Sequence, residues 1–263
     1  MTELAPPEAP WLIPAFAVLF GLVWGSFLNV VIHRLPLGRS LVSPRSRCPS
    51  CGKPVAAYDN VPLLSYVVLR GRCRHCKASI AVRYPFIEAA LGGASLSSLL
   101  RHGVSVDYVA ELGFVAAMVA LIFIDFDHQV LPNSITLPGA ALGLALAGPR
   151  VDVSSLDALL GAMLGAGLLF LVSEVYFRLR KVEGLGMGDV KMMGMVGAFV
   201  GWKGVLLTLF LGSLSGTLVG LVVMAASKGD LRTKLPFGTF LGMGGIATVY
   251  LGERLIGWYT SFY

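Results

Sequence analysis

Charge is scarce in this chain. Lys, Arg, Asp and Glu make up 14% of its 263 residues, against 56% hydrophobic side chains, and the mean hydropathy is +0.76. That balance excludes an ordinary soluble domain and predicts an all-α polytopic membrane protein whose core is helix packed on helix in lipid. The excess of basic over acidic residues, 21 against 15, is too small to indicate a nucleic-acid partner. The first ten residues lack Lys and Arg altogether, whereas a secretory leader would begin with them. The apolar run that follows, residues 11–32, is also longer than a leader's core of about 7–15 residues, so it reads as a retained membrane helix. No strand followed by a Gly-x-Gly-x-x-Gly turn is present, which excludes the usual nucleotide-binding fold. The two halves do not repeat one another, as those of a transporter with internal repeats would.

What is present is a series of apolar runs. Runs long enough to cross a bilayer occupy residues 11–32, 84–100, 106–124, 156–177, 205–226 and 240–259. Shorter ones fill 135–147 and the stretch from Asp189 to Trp202, which predicts about eight transmembrane helices. The chain then divides into a first membrane helix (1–32), a cytosolic basic loop (33–83) and a helical bundle (84–263). With the amino terminus outside, only Arg101, Arg150, Lys203 and Arg254 of the 21 basic residues fall on the outer side. The rest crowd into the 33–83 loop and the loops after the fifth and seventh helices, Lys228, Arg232 and Lys234 among them. Cytoplasmic segments are the ones enriched in Lys and Arg, so both termini are expected outside. The loops after the third and fifth helices then share the cytoplasmic face.

The basic loop holds all four cysteines, as Cys48-Pro-Ser-Cys51 and Cys73-Arg-His-Cys76. Each Cys-x-x-Cys bends into a knuckle that aims two thiolates at one point, and two knuckles complete a tetrahedral metal site. A reducing cytosol disfavours disulfides. Zinc is the expected ion, in a structural role because no coordination position is left open; a rubredoxin-like iron site would use the same ligands. Four thiolates on a divalent cation carry a double negative charge, which Arg47, Lys53, Arg72, Arg74 and Lys77 could offset. His75, inside the second knuckle, reads as exposed and not as a ligand.

Two carboxylates stand out against the apolar background, where an uncompensated acid is expensive and marks a functional site by default. Asp189 lies in the glycine-rich turn Gly184-Leu-Gly-Met-Gly-Asp-Val-Lys-Met-Met193. Asp125 ends the third apolar run, and Asp127 lies about 200° around the helix from it, so the two cannot face one partner. His128 shares the face of Asp125 and reads as an interfacial histidine. Two carboxylates brought together do not both ionise readily: one keeps a proton and the other acts as a base towards water. That is the chemistry of an aspartic peptidase. By spacing alone, two unrelated helix-end carboxylates fit equally well.

Five motifs in order extend the pattern. Gly186-Met-Gly-Asp189 resembles the Gly-x-Gly-Asp signature of membrane aspartic peptidases, and Asp125 with Leu131-Pro132-Asn133 resembles the partner motif of the bacterial type IV prepilin peptidases. Gly25-Ser-Phe-Leu-Asn29-Val-Val-Ile-His-Arg34-Leu-Pro36, the paired Cys-x-x-Cys, and Arg83-Tyr-Pro-Phe-Ile-Glu88 are similar to that family as well. The resemblance covers nearly the whole chain.

The resemblance implies an enzyme of the bacterial cytoplasmic (inner) membrane that cuts the basic leader from type IV prepilins or type II secretion pseudopilins. The cut falls after a glycine on the cytosolic side, and many members then methylate the new amino terminus with S-adenosylmethionine. It carries Asp125 and Asp189 over as the catalytic pair. The cysteine loop resembles that of the bifunctional form, with Cys48, Cys51, Cys73 and Cys76 as metal ligands. Asn29, Arg34 and Glu88, polar residues at helix ends, are the candidates for methyl transfer. Expected partners are prepilins and membrane lipid, with acidic headgroups or Glu88 and Glu183 drawing in the basic leader. Lys191 is expected to anchor the start of its helix or to meet a lipid phosphate. Two other readings remain: a peptidase of the same signature that does not methylate, and a transporter with an intramembrane acid.

Overall fold

The computed structural model describes residues 10–182, 184–226 and 235–262. Its α-helices are α1 (Leu12–Arg34), α2 (Leu64–Val68), α3 (Arg83–His102), α4 (Val106–His128), α5 (Asn133–Leu146), α6 (Ser155–Arg180), α7 (Met187–Ala226) and α8 (Phe237–Thr260). Among the described residues there is no strand, only two isolated β-bridges. Each expected apolar segment is helical. The sixth and seventh are two arms of α7, and α2 is an addition inside the basic loop. The helices α1, α4, α6 and α7 are long and apolar enough to cross a membrane, and α5, at 14 residues, is a shorter apolar helix. The fold is that of an all-α polytopic membrane protein.

The chain forms two compact units, Met1–Ala116 and Ala117–Tyr263. In the first, α1 and α3 run in close contact: a Cβ added to Gly25 would lie 2.6 Å from Glu88 Cα. Small residues allow backbones to approach this closely where lipid offers no hydrophobic force to press helices together. Polar rungs reinforce the seam. Ser95 Oγ donates to Ala17 O at 2.7 Å, and Asn29 Nδ2 donates to Gly25 O and to Tyr84 O, both at 3.2 Å. Where α3 ends, Arg101 and His102 pair with the buried Glu111 of α4.

In the second unit α7 is the hub, packed by α5, α6 and α8. Its first arm is the core, with Met192, Met193, Met195, Val196 and Ala198 fully buried. The helix α6 that lies against it starts at Ser154, whose Oγ accepts from Asp157 N at 3.1 Å and donates to Asp157 Oδ2 at 2.7 Å. That is a reciprocal cap, and it satisfies an otherwise orphaned amide. The arms of α7 meet at Gly201, at φ 70° and ψ 178°, a conformation that side chains with a Cβ resist. Just before the interruption, Arg150 Nη1 donates to Phe199 O at 2.9 Å. On the far arm the buried Thr208 and Thr248 hydroxyls join α7 to α8 at 2.9 Å. Lys228, Arg232, Lys234 and Glu183 lie outside the described residues.

Candidate active site and metal centre

Three helix ends meet around the carboxylates of the second unit. Asp125 sits in the last turn of α4 and is 5% exposed. After it the chain reverses at Gln129, which is left-handed at φ 54°. Leu131 is then buried, and Pro132, with φ fixed by its ring, leads into α5. Asp189 belongs to the first turn of α7 and is 9% exposed. Its backbone N–H turns back to Gly186 O at 3.1 Å. The third end is the start of α8, after Pro236. There the Thr239 N–H donates to Asp125 Oδ2 at 2.7 Å, and Thr239 Oγ1 lies 3.2 Å from the same oxygen.

The packing between these ends leaves little slack. Leu131 lies beside both Gly188 and Gly238: added Cβ atoms would come 3.0 Å from Leu131 Cβ and 2.9 Å from Leu131 Cδ1 respectively. A Cβ on Gly238 would also lie 3.0 Å from Asp125 Oδ2. Lys191 Nζ donates to Asn133 Oδ1 at 3.0 Å, a contact that anchors the start of α7 to α5. Asp127 is exposed, as the turn of the helix requires, and His128 at the helix end is exposed as well. Thr239 escaped the sequence reading. Its only signal was a polar residue just after Leu235-Pro-Phe-Gly238, at the start of an apolar run.

The four cysteines of the first unit are unbridged, and their sulfurs all lie within 4.8 Å of one another. The two knuckles share one local design. Cys48 N donates to Lys53 O at 2.9 Å and Cys73 N to Ala78 O at 2.8 Å, while the β-bridges Arg47–Pro54 and Arg72–Ser79 close each loop. The residue after each second cysteine, Gly52 or Lys77, is left-handed. Cys48 Sγ and Cys76 Sγ are 3.7 Å apart, close to the separation of about 3.8 Å that Zn–S bonds of about 2.3 Å impose on a tetrahedron. The backbone N–H groups of Cys51 and Ser50 draw the Cys48 thiol down to about 6, and those of Cys76 and His75 draw Cys73 down. At Cys76 the Ala78 N–H pulls the same way, but desolvation and the facing sulfurs outweigh it and push that thiol up to about 11. Four sulfurs gathered in this way could hold a metal ion between them. His75 is exposed. Arg74, expected among the balancing charges, is clasped by Asp59 at 2.6 Å and lies over the Tyr58 ring.

The same unit contains a cavity of about 1070 Å³ lined by Asn29, Arg34 and Glu88 and by Cys48 and Cys73. The fold therefore gathers the three methyl-transfer candidates into one space. Each also has structural work. Asn29 bonds across the seam of α1 and α3, and Arg34 donates to Ser40 O and Pro44 O at 3.0 and 2.7 Å. Glu88 Oε2 accepts from the N–H of Leu63, a residue at φ 58°.

Residues 19–102 match the Bacterial Peptidase A24 N-terminal domain, and residues 112–221 match the Type IV leader peptidase family. A Burkholderia pseudomallei (strain 1026b) protein named prepilin leader peptidase/N-methyltransferase is 38% identical, over 90% of this chain and 85% of its own. Proteins of the same name from Myxococcus xanthus (strain DK1622) and Stutzerimonas stutzeri are 44% and 36% identical. The first alignment covers 84% of this chain and 67% of the relative, and the second covers 94% and 93%. No solved structure matches the chain. With its two domains matched in order and its relatives aligned over most of their length, the chain belongs to the prepilin leader peptidase/N-methyltransferase family.

Proposed function

We propose that this chain is an aspartic endopeptidase of the bacterial inner membrane. It removes the leader of type IV prepilins, or of type II secretion pseudopilins, at the cytosolic face, and it methylates the amino terminus so exposed. The observation that carries the reading is the burial of Asp125 and Asp189 at the ends of two different helices, with Leu131 packed against both Gly188, next to Asp189, and Gly238, beside Asp125 Oδ2.

In the proposed reaction the ionised carboxylate of the pair takes a proton from water, and the water oxygen bonds to the scissile carbonyl carbon. The protonated partner stabilises the developing oxyanion and then supplies a proton to the amide nitrogen as the C–N bond breaks. The products are a carboxyl group on the leader and a free amino terminus on the mature chain. The titration belongs to the pair and not to either residue. The cytosolic placement follows from the crowding of Lys and Arg into the loops on that side.

Cys48, Cys51, Cys73 and Cys76 would hold zinc as a clasp between the knuckles, with no part in bond breaking. S-adenosylmethionine, when bound, supplies an activated methyl group. Asn29, Arg34 and Glu88 are the residues assigned to its site, since they line a cavity larger than the roughly 300–1,000 Å³ typical of small-molecule pockets. Its wall offers both charge signs, Arg34 and Glu88, for an amino-acid moiety that also carries both.

The test presents detergent-solubilised protein with a prepilin and S-adenosylmethionine, and follows leader loss and amino-terminal mass. Wild type gives the shortened chain with a methyl increment, and Asp125→Asn and Asp189→Asn each leave the leader in place. Cleavage that survives either substitution removes the pair from the mechanism.

A further inference from the structure

Thr239 meets Asp125 twice, and the two contacts differ in chemistry. Its backbone N–H belongs to the first turn of α8, where amides have no acceptor within the helix, and it donates to Asp125 Oδ2 at 2.7 Å. Its hydroxyl lies 3.2 Å from that same oxygen and 3.2 Å from Ile122 O. A hydroxyl has one proton to give and lone pairs to receive with, so it serves one of these neighbours as a donor at any moment.

Both arrangements are useful. When Asp125 is a carboxylate, the hydroxyl donates to Oδ2. When Asp125 carries a proton on Oδ2, that O–H donates a hydrogen bond to Thr239 Oγ1, and the hydroxyl donates to Ile122 O. No buried polar atom is stranded in either state, which matters at a threonine 7% exposed and an aspartate 5% exposed.

We propose that Thr239 is the positioning residue of the pair: it holds Asp125 Oδ2 in both protonation states and leaves the reaction to Oδ1. This rests on the reading of Asp125 and Asp189 as the catalytic pair. A serine keeps the reversible hydroxyl, whereas a valine keeps the shape and the N–H but loses it.

The experiment measures kcat and KM for prepilin cleavage by the full chain in detergent, for wild type, Thr239→Val, Thr239→Ser and Asp125→Asn, with a thermal unfolding midpoint for each. Expected is a fall in kcat of about 10-fold or more for Thr239→Val with KM unchanged, and recovery to within about 3-fold of wild type for Thr239→Ser. Wild-type kcat in Thr239→Val beside an inactive Asp125→Asn overturns the positioning role and spares the pair. An active Asp125→Asn removes the pair, and the proposal with it. A loss in Thr239→Val that serine does not restore, accompanied by a lowered midpoint, assigns Thr239 to packing and also overturns the proposal.

Discussion

Lys191 Nζ and Asn133 Oδ1 are joined at 3.0 Å, which ties the first residue of α5 to α7 within a turn of Asp189. The rung bears on the site because both its ends sit beside the turns that carry the carboxylates. Lys191→Met and Asn133→Ala are each expected to lower the kcat of cleavage about 5-fold, in keeping with an exposed hydrogen bond worth ~1 kcal/mol. The double substitution should be no worse than either alone, because both remove the same contact. Additive losses in that double-mutant cycle would separate the two roles.

Gly238 is the residue whose lack of a side chain lets Asp125 reach the start of α8. A methyl group there, 3.0 Å from Asp125 Oδ2 and 2.9 Å from Leu131 Cδ1, displaces one or the other. Gly238→Ala should reduce cleavage about 5- to 150-fold, the kinetic equivalent of the 1–3 kcal/mol that overpacking costs. The far-ultraviolet helical signal should stay intact. Steady-state cleavage assays beside circular dichroism decide it, and wild-type turnover would contradict the crowding.

The thiolate cluster makes a metal prediction. Purified protein should carry one zinc per chain by elemental analysis, and Cys48→Ser should lose it. The same variant should lose methylation and S-adenosylmethionine binding by calorimetry while still cutting the leader, since the carboxylates belong to the other compact unit. Retained donor binding in a metal-free Cys48→Ser protein would detach the cavity from the metal.

The interruption of α7 should show up in stability. Gly201→Ala forces a side chain to φ 70° and is expected to cost about 1–3 kcal/mol. Arg150→Met removes the hydrogen bond to Phe199 O and should cost about 1 kcal/mol. Both are read as lower unfolding midpoints in detergent, and an unchanged midpoint in Gly201→Ala would mean that the two arms of α7 can straighten.

The helices were legible because apolar run length is the dominant signal in a membrane chain, and all the expected segments are helical. The fusion of the sixth and seventh into α7 was not legible. A single glycine between apolar runs reads as a loop, and only the backbone reveals that the helix resumes after one residue. Asp125 and Asp189 were conspicuous as acids at the ends of apolar runs. Thr239 was not, because a threonine in an apolar helix is ordinary until its partner is known, and that partner lies 114 positions away. Asn29, Arg34 and Glu88 could be picked out singly, but their cavity is made by the loop between α1 and α3, which periodicity does not describe. The exposure of Asp127 beside the burial of Asp125 was readable from helical geometry alone.

Between α1 and α3 the chain builds its knuckles with almost nothing inside: over residues 35–82 Gly71 is the only buried position. A segment without an apolar interior is held by its hydrogen bonds, by the Arg74–Asp59 pair and, on the proposed reading, by an ion between its sulfurs, whose binding free energy would then be folding free energy for the segment. The cavity is walled by that segment, so its shape becomes a function of metal supply. Under zinc limitation the affinity for any occupant should fall in step with metal loading, and the occupant should in turn tighten the hold on the metal. A cell short of zinc would then lose amino-terminal methylation before leader removal.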